Sequence, residues 1–189
     1  MTDLGLLYYY LGMQVYQYKD CTYLNQYKYI SYILQKFRME ECRYVVIPFS
    51  PGIITSLSSN SQLADATTYK QLIGSLLYLT ISKLDITFVV NLMARFMQKP
   101  YVEHLNAVKK ILRYVAGTKE LALKYSRLPS FVLSRFIDSD YGGDRDDRKS
   151  TSAYVFSIGL GAISLNYKKK PTISLSIVEA EYCTMYVAA

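Results

Sequence analysis

The sequence predicts an α+β chain, because three stretches of different hydrophobic rhythm follow one another. Residues 6–24 are rich in β-formers, residues 28–117 carry apolar side chains at helical spacing, and short β-rich runs follow from Leu121. With 51% hydrophobic and 20% charged residues over 189 positions, there is apolar mass for one domain or two small ones, and disorder throughout is excluded.

Residues 6–18 read as a strand, Lys19-Asp20 as a turn, and residues 22–24 as the second arm of a hairpin. From Lys28, Tyr29, Ile30, Ile33, Leu34 and Phe37 recur on one face, which predicts a short amphipathic helix ending near Met39. Pro48, Pro51, Gly52 and the serine-rich residues 56–61 predict a linker loop. Three helices are expected next. Tyr69, Leu72, Ile73, Leu76 and Leu77 line the first, where Gly74 and Ser75 leave room for another element. Asp85 is the expected N-cap of the second, whose stripe of Ile86, Val89, Val90, Met93, Ala94 and Met97 stops before Pro100. The third turns Leu105, Val108, Ile111, Leu112 and Val115 inward and has Gly117 at its expected C-cap.

Beyond Gly117, residues 121–125, 131–137, 152–158 and 163–167 read as strands. Lys168-Lys169-Lys170-Pro171 suits a hairpin turn, residues 172–176 a returning strand, and residues from Val178 onward a last helix. A boundary between helical and β-rich parts is therefore expected between residues 117 and 130.

Twenty-two basic against 15 acidic residues leave a net charge of +7, which suits a polyanionic partner. Twenty tyrosines with no tryptophan predict many rings at surfaces or interfaces, where the hydroxyl finds a partner or water. Cys21, Cys42 and Cys183 form no C-x-x-C pair, which argues against a disulfide framework or cysteine zinc site and fits an intracellular compartment, cytoplasm or nucleus. The longest uncharged run, residues 44–64, is too polar to span a membrane. Asp3, with no basic residue before the first apolar stretch, argues against a secretory signal peptide. A single histidine, His104, excludes HExxH zinc chemistry.

Asp138 and Asp140 follow the expected strand 131–137, and Gly142-Gly143 permits a sharp change of direction after them. Glu179 and Glu181 stand two apart on the expected last helix, so their side chains point about 200° apart and only one faces a shared site. A strand-end Asp and a helix Glu converging on divalent cations would suit two-metal phosphodiester hydrolysis. Ordinary turn and helix-surface carboxylates fit the same residues. Lys109, Lys110 and Arg113 make a basic helix face, and Lys168, Lys169 and Lys170 a basic turn; both suit phosphate binding, and both suit a solvated surface.

Six blocks, DLGLLYYYLGMQV, YLNQYKYISYILQKFRMEECRYVVIP, YKQLIGSLLYLTISKLDI, HLNAVKKILRYVAGT, DSDYGGDRDDRKSTSAYVFSIG and EAEYCTMYVAA, cover nearly the whole chain. In this order they resemble the corresponding blocks of copia-type LTR-retrotransposon Pol polyproteins. The resemblance implies an N-terminal β-hairpin near the reverse transcriptase primer grip and a helical thumb- and connection-like region over residues 1–117. Residues 118–189 are then an incomplete ribonuclease H-like β-sheet with one helix. It carries over Asp138 as the first metal-binding carboxylate and Glu181, directly before Tyr182, as the second, with magnesium as cofactor and an RNA–DNA hybrid or other nucleic acid as partner. Asp140 and Asp144 match further acidic positions.

The polymerase carboxylates and the later ribonuclease H carboxylates of that family have no counterpart here. The resemblance therefore implies a fragment that is catalytically inactive alone, with an exposed sheet edge prone to association. A stand-alone basic nucleic-acid-binding module and a product without function are the alternatives. Tyr141 replaces a usual Trp, Ala153 a Gly, Leu165-Asn166 a Ser-Trp pair, and Ser176-Ile177-Val178 a Ser-Ser-Thr run; the last predicts a lost helix cap, since Val178 cannot cap. His104 also matches a family position and is expected to be structural.

Overall fold

Leu11 and Gly12 both take positive φ, 46° and 75°, and break the run expected as one strand into β1 (Tyr9–Tyr10) and β2 (Met13–Gln17). Pairing of Tyr10 with Met13 leaves a two-residue loop whose positive φ values match the twist of a tight hairpin. The close approach at this turn also requires glycine: a Cβ on Gly12 would collide with Tyr78 Oη, which donates to Leu11 O at 2.5 Å. This computed structural model describes residues 5–49, 62–127, 132–142, 148–159 and 161–188. Pro51, Gly52, residues 56–61, Phe131, Gly143 and Asp144 lie outside them. The chain divides into two units, Met1–Lys124 and Tyr125–Ala189. Among the described residues it is mixed α and β, with two antiparallel sheets and five α-helices.

In the first unit β2 pairs with β3 (Cys21–Asn25), setting Tyr16 opposite Tyr23. The strand expected at 121–125 forms β4 (Leu123–Ser126) and is the fourth strand of this first sheet, in the order β1-β2-β3-β4. The sequence groups it instead with the later β-rich part, because local β propensity cannot say which sheet a strand joins. Four helices cover the core: α1 (Tyr27–Lys36), α2 (Ala66–Leu79), α3 (Thr87–Ala94) and α4 (Val102–Gly117). Ile30, Ile33, Leu72, Leu76, Met93 and Ile111 are among the side chains buried between them.

Three local expectations shift. Leu77 is 37% exposed, and Leu79 takes the inward position three residues on from Leu76. Asp85 does not cap α3; it lies in the 3-10 turn Leu84–Ile86 and accepts the Tyr114 hydroxyl at 2.5 Å, which pushes the Tyr114 pKa up to about 12. Gly117 ends α4 without a positive φ, and Thr118 is the C-cap. A Cβ on Gly117 would meet Tyr44 Cβ at 2.9 Å, so close packing explains this glycine. Asp65 caps α2 through bonds from Thr67 N and Thr68 N, both at 3.0 Å, and the Thr68 hydroxyl, helped by these backbone bonds, holds its carboxyl below the usual range.

His104, at the start of α4, has a structural setting. It is fully buried, stacks on Phe96 with centroids 3.9 Å apart, and its Nδ1 accepts from Tyr101 N at 3.3 Å. Burial pushes its pKa down, against the weaker opposite pull of Glu103. The unfolded chain therefore takes up this proton first as pH falls, so stability present above about pH 6.5 drains away below it, through the folded pKa. Urea midpoints measured from pH 7.5 to pH 5 should fall more steeply for the wild type than for His104→Phe; identical profiles would remove the histidine from the account.

The second unit is a three-stranded sheet in the order β5 (Leu133–Asp140), β6 (Thr151–Ile158), β7 (Gly161–Lys169), followed by α5 (Ile177–Val187). Asp138 and Asp140, expected after the strand, are inside it, because cross-strand pairing with β6 continues to Asp140 opposite Thr151. Lys168 and Lys169 likewise extend β7, and residues 172–176 do not form a strand. The cap of α5 is present after all: Ser176 Oγ accepts from Glu179 N at 3.1 Å, and the Glu179 carboxylate accepts from Leu175 N at 2.7 Å. This is an S-x-x-E signature two residues upstream of Val178, with the glutamate reaching one residue before the cap. No helix among the described residues is long and apolar enough to cross a membrane.

Candidate functional site

The second unit sets the expected carboxylates through strand register and helix packing. Ala180 and Thr184, four residues apart on α5, are fully buried. Thr184 Oγ1 donates to Ala180 O at 2.8 Å and lies 2.7 Å from Ser152 Oγ, which makes Ser152 the donor of that second bond. Ser139 is the cross-strand partner of Ser152, so Ser139, Ile137 and Arg135 share the sheet face beneath the helix. Arg135 accordingly donates from Nη1 to Ala188 O, at the end of α5, at 2.9 Å. Asp138 and Asp140 alternate with these residues. Strand alternation turns both toward the uncovered face, where they are exposed, and Asp138 Oδ1 accepts from Ser139 N at 2.9 Å. Glu181 is exposed on α5, one residue after buried Ala180, and Glu179 is committed to the helix cap.

The basic residues divide by unit. On α4, Lys109 is exposed, and Arg113, one turn on, and Lys110 are half-buried. At the end of β7, Lys168 is exposed and Lys169 half-buried. Lys170 departs from the expected phosphate-binding role: it is 8% exposed, its Nζ donates to Ala180 O, and its backbone N–H donates to Ser150 O at 2.9 Å. Its charge ties α5 to the sheet.

Sequence reading missed a group in the first unit. Tyr16, Tyr18, Tyr23 and Tyr27 line a cavity of about 360 Å³ with Asn25 and Glu120. Tyr18 and Tyr23 meet edge to face, centroids 5.9 Å apart and planes at 86°. The available signal was the i, i+2 spacing of Tyr16 and Tyr18 before a turn, with Tyr23 and Tyr27 after it.

The chain is 36% identical over 93% of its length to the retrovirus-related Pol polyprotein from transposon RE1 of Arabidopsis thaliana. It is 33% identical over 96% of its length to that from transposon TNT 1-94 of Nicotiana tabacum. Over its full length it is 32% identical to an uncharacterised mitochondrial protein of Arabidopsis thaliana, of which it covers 78%. The chain belongs to the copia-type retrotransposon Pol family. This Pol chain spans only 12% of the RE1 polyprotein and 14% of the TNT 1-94 polyprotein. No family model and no solved structure matches it.

Several departures of this Pol chain from the family pattern have visible local outcomes. Tyr141 donates its hydroxyl to Leu175 O at 3.3 Å, Ala153 sits opposite Asp138 in the β5–β6 register, and Asn166 Nδ2 donates to Tyr154 Oη at 3.0 Å. A two-magnesium centre takes most of its protein ligands from clustered carboxylates. Among the described residues no group of three or more His, Cys, Asp or Glu side chains is placed to hold a metal ion.

Proposed function

We propose that this chain is a piece of the reverse transcriptase–ribonuclease H part of a retrotransposon Pol polyprotein and does not itself cleave or polymerise nucleic acid. Residues 1–117 correspond to the primer-grip, thumb and connection region, and the three-stranded sheet and helix within residues 118–189 to the beginning of ribonuclease H. The ordered match over 93% of the chain to the RE1 polyprotein carries this reading. A three-stranded antiparallel sheet followed by a helix supports the assignment of the second part. The inactivity is supported by Asp138 standing in the strand register that faces away from α5, the helix of Glu181. In this reading Asp138 and Glu181 are vestiges of the family's metal-binding carboxylates and not a working pair.

Purified chain incubated with an RNA–DNA hybrid and magnesium or manganese should leave the hybrid intact. Cleavage that disappears on Asp138→Asn would overturn the proposal. A second reading, binding of nucleic acid without chemistry, is favoured by the exposed Lys109 on α4 and the net charge of +7. If it holds, replacing Lys109, Lys110 and Arg113 by glutamine reduces the slope of log affinity against log salt by up to ~0.9 for each duplex phosphate no longer neutralised. An unchanged slope discards it.

A further inference from the structure

We propose that the tyrosine-lined cavity of the first sheet binds an organic cation bearing N–H donors, an alkylguanidinium or alkylammonium group. Three observations converge on that chemistry. The walls are the rings of Tyr16, Tyr18, Tyr23 and Tyr27, and the perpendicular Tyr18–Tyr23 pair forms a corner whose faces carry the negative part of the ring quadrupole. Such faces already attract ammonium groups of this chain: Lys119 Nζ lies 5.2 Å from the Tyr27 centroid and Lys124 Nζ 5.9 Å from that of Tyr23. Glu120 is the one charged side chain among the lining residues.

The lining also includes a buried amide. Asn25 is 5% exposed, and its Nδ2 donates to three successive carbonyls, those of Lys119, Glu120 and Leu121, at 3.3, 3.2 and 3.2 Å. That bonding fixes the orientation of the amide and leaves Oδ1 buried without a hydrogen-bond partner. Ring faces, a carboxylate and an unbonded amide oxygen are all electron-rich. A nucleobase could also donate from an exocyclic amine, but it brings no positive charge to Glu120 and the ring faces, whereas a cation with N–H groups supplies both charge and donors. The cation comes either from an arginine or lysine side chain of a basic peptide or from a free polyamine; both offer the same chemistry.

The test is an amide NMR titration of the full chain with an arginine-containing tripeptide, spermidine, tetramethylammonium and adenosine monophosphate. The tripeptide or spermidine should produce saturable shifts in residues 16–27 and 120–122, and the tighter of the two identifies the source. Tyr16→Leu and Tyr23→Leu should each weaken that binding roughly threefold to tenfold. Lys119→Gln, which removes a competing ammonium and a like charge, should tighten it. Glu120→Gln, on an exposed residue, keeps the test open should a tyrosine variant fail to fold, and should weaken binding about threefold. Absence of shifts with both cations overturns the proposal, as does unchanged affinity in the tyrosine and Glu120 variants. Adenosine monophosphate binding more tightly than either cation, and more weakly after Lys119→Gln, would make this a nucleotide site instead. Equal affinity for tetramethylammonium would overturn the requirement for N–H donors.

Discussion

Tyr69→Ala should lower the stability of the helical unit by about 3–5 kcal/mol, read as a shift in the urea midpoint at constant slope. Tyr69 heads the fully buried side chains by volume, on the inner face of α2. Truncation leaves a ring-sized void among Leu72, Ile73 and Met93, side chains of the same packed cluster. Its hydroxyl donates to Met93 O at 2.8 Å, and burial raises its pKa well above that of an exposed tyrosine. Tyr69→Phe separates the two contributions. Met93 O also accepts from Phe96 N at 3.1 Å, so loss of the hydroxyl alone should cost only about 1 kcal/mol. Equal losses in the two variants would show that the hydrogen bond, and not the packed ring, dominates.

Lys83→Met should cost about 2 kcal/mol and release the segment after α4 before the helices themselves unfold. Lys83 is 4% exposed, and burial pushes its amine below the usual lysine range, against a smaller opposite effect of Asp85. Its Nζ donates to Thr118 O and, at 3.3 Å, to Leu121 O, while Asn25 holds the carbonyls of Lys119, Glu120 and Leu121. Four consecutive carbonyls following α4 are thus caught by two side chains from distant parts of the chain. Replacing a buried ion pair by apolar groups is often neutral. Here the partners are backbone carbonyls that stay in place, so removing the ammonium leaves them under-bonded. Hydrogen exchange in the variant should accelerate first at residues 118–125; uniform acceleration across α1 to α4 would contradict a local clamp.

The helical half was legible because each helix buries one face. Ile30, Ile33 and Leu34 on α1, and Val108, Ile111, Leu112 and Val115 on α4, follow the spacing expected of an amphipathic helix and are buried. The S-x-x-E cap of α5 was legible too, at Ser176 and Glu179, once the helix start moves one residue upstream, to Ile177. The Leu11–Gly12 turn was hidden in a β-forming run where Gly12 was the one signal of a break, since a leucine at positive φ leaves no compositional trace.

The candidate sites divide in the same way. The order of six blocks named Asp138 and Glu181, but the β5–β6 register, set by residues far along the chain, decides which sheet face Asp138 occupies. Three adjacent lysines look alike as letters, yet Lys168 is exposed while Lys170 is buried against Ala180 O. The tyrosine cavity needs a strand, a turn, a helix start and residues 120–122 brought together.

By itself the sequence determined the family, the helical faces and the basic charge of this protein, because periodicity and block order are properties of neighbouring residues. Only the tertiary structure decided that β4 joins the first sheet, that Lys83 and Asn25 clamp residues 118–121, and which carboxylates share a face. Strand pairing and the partners of buried polar groups join residues up to 96 positions apart, and local composition carries no information about such pairs.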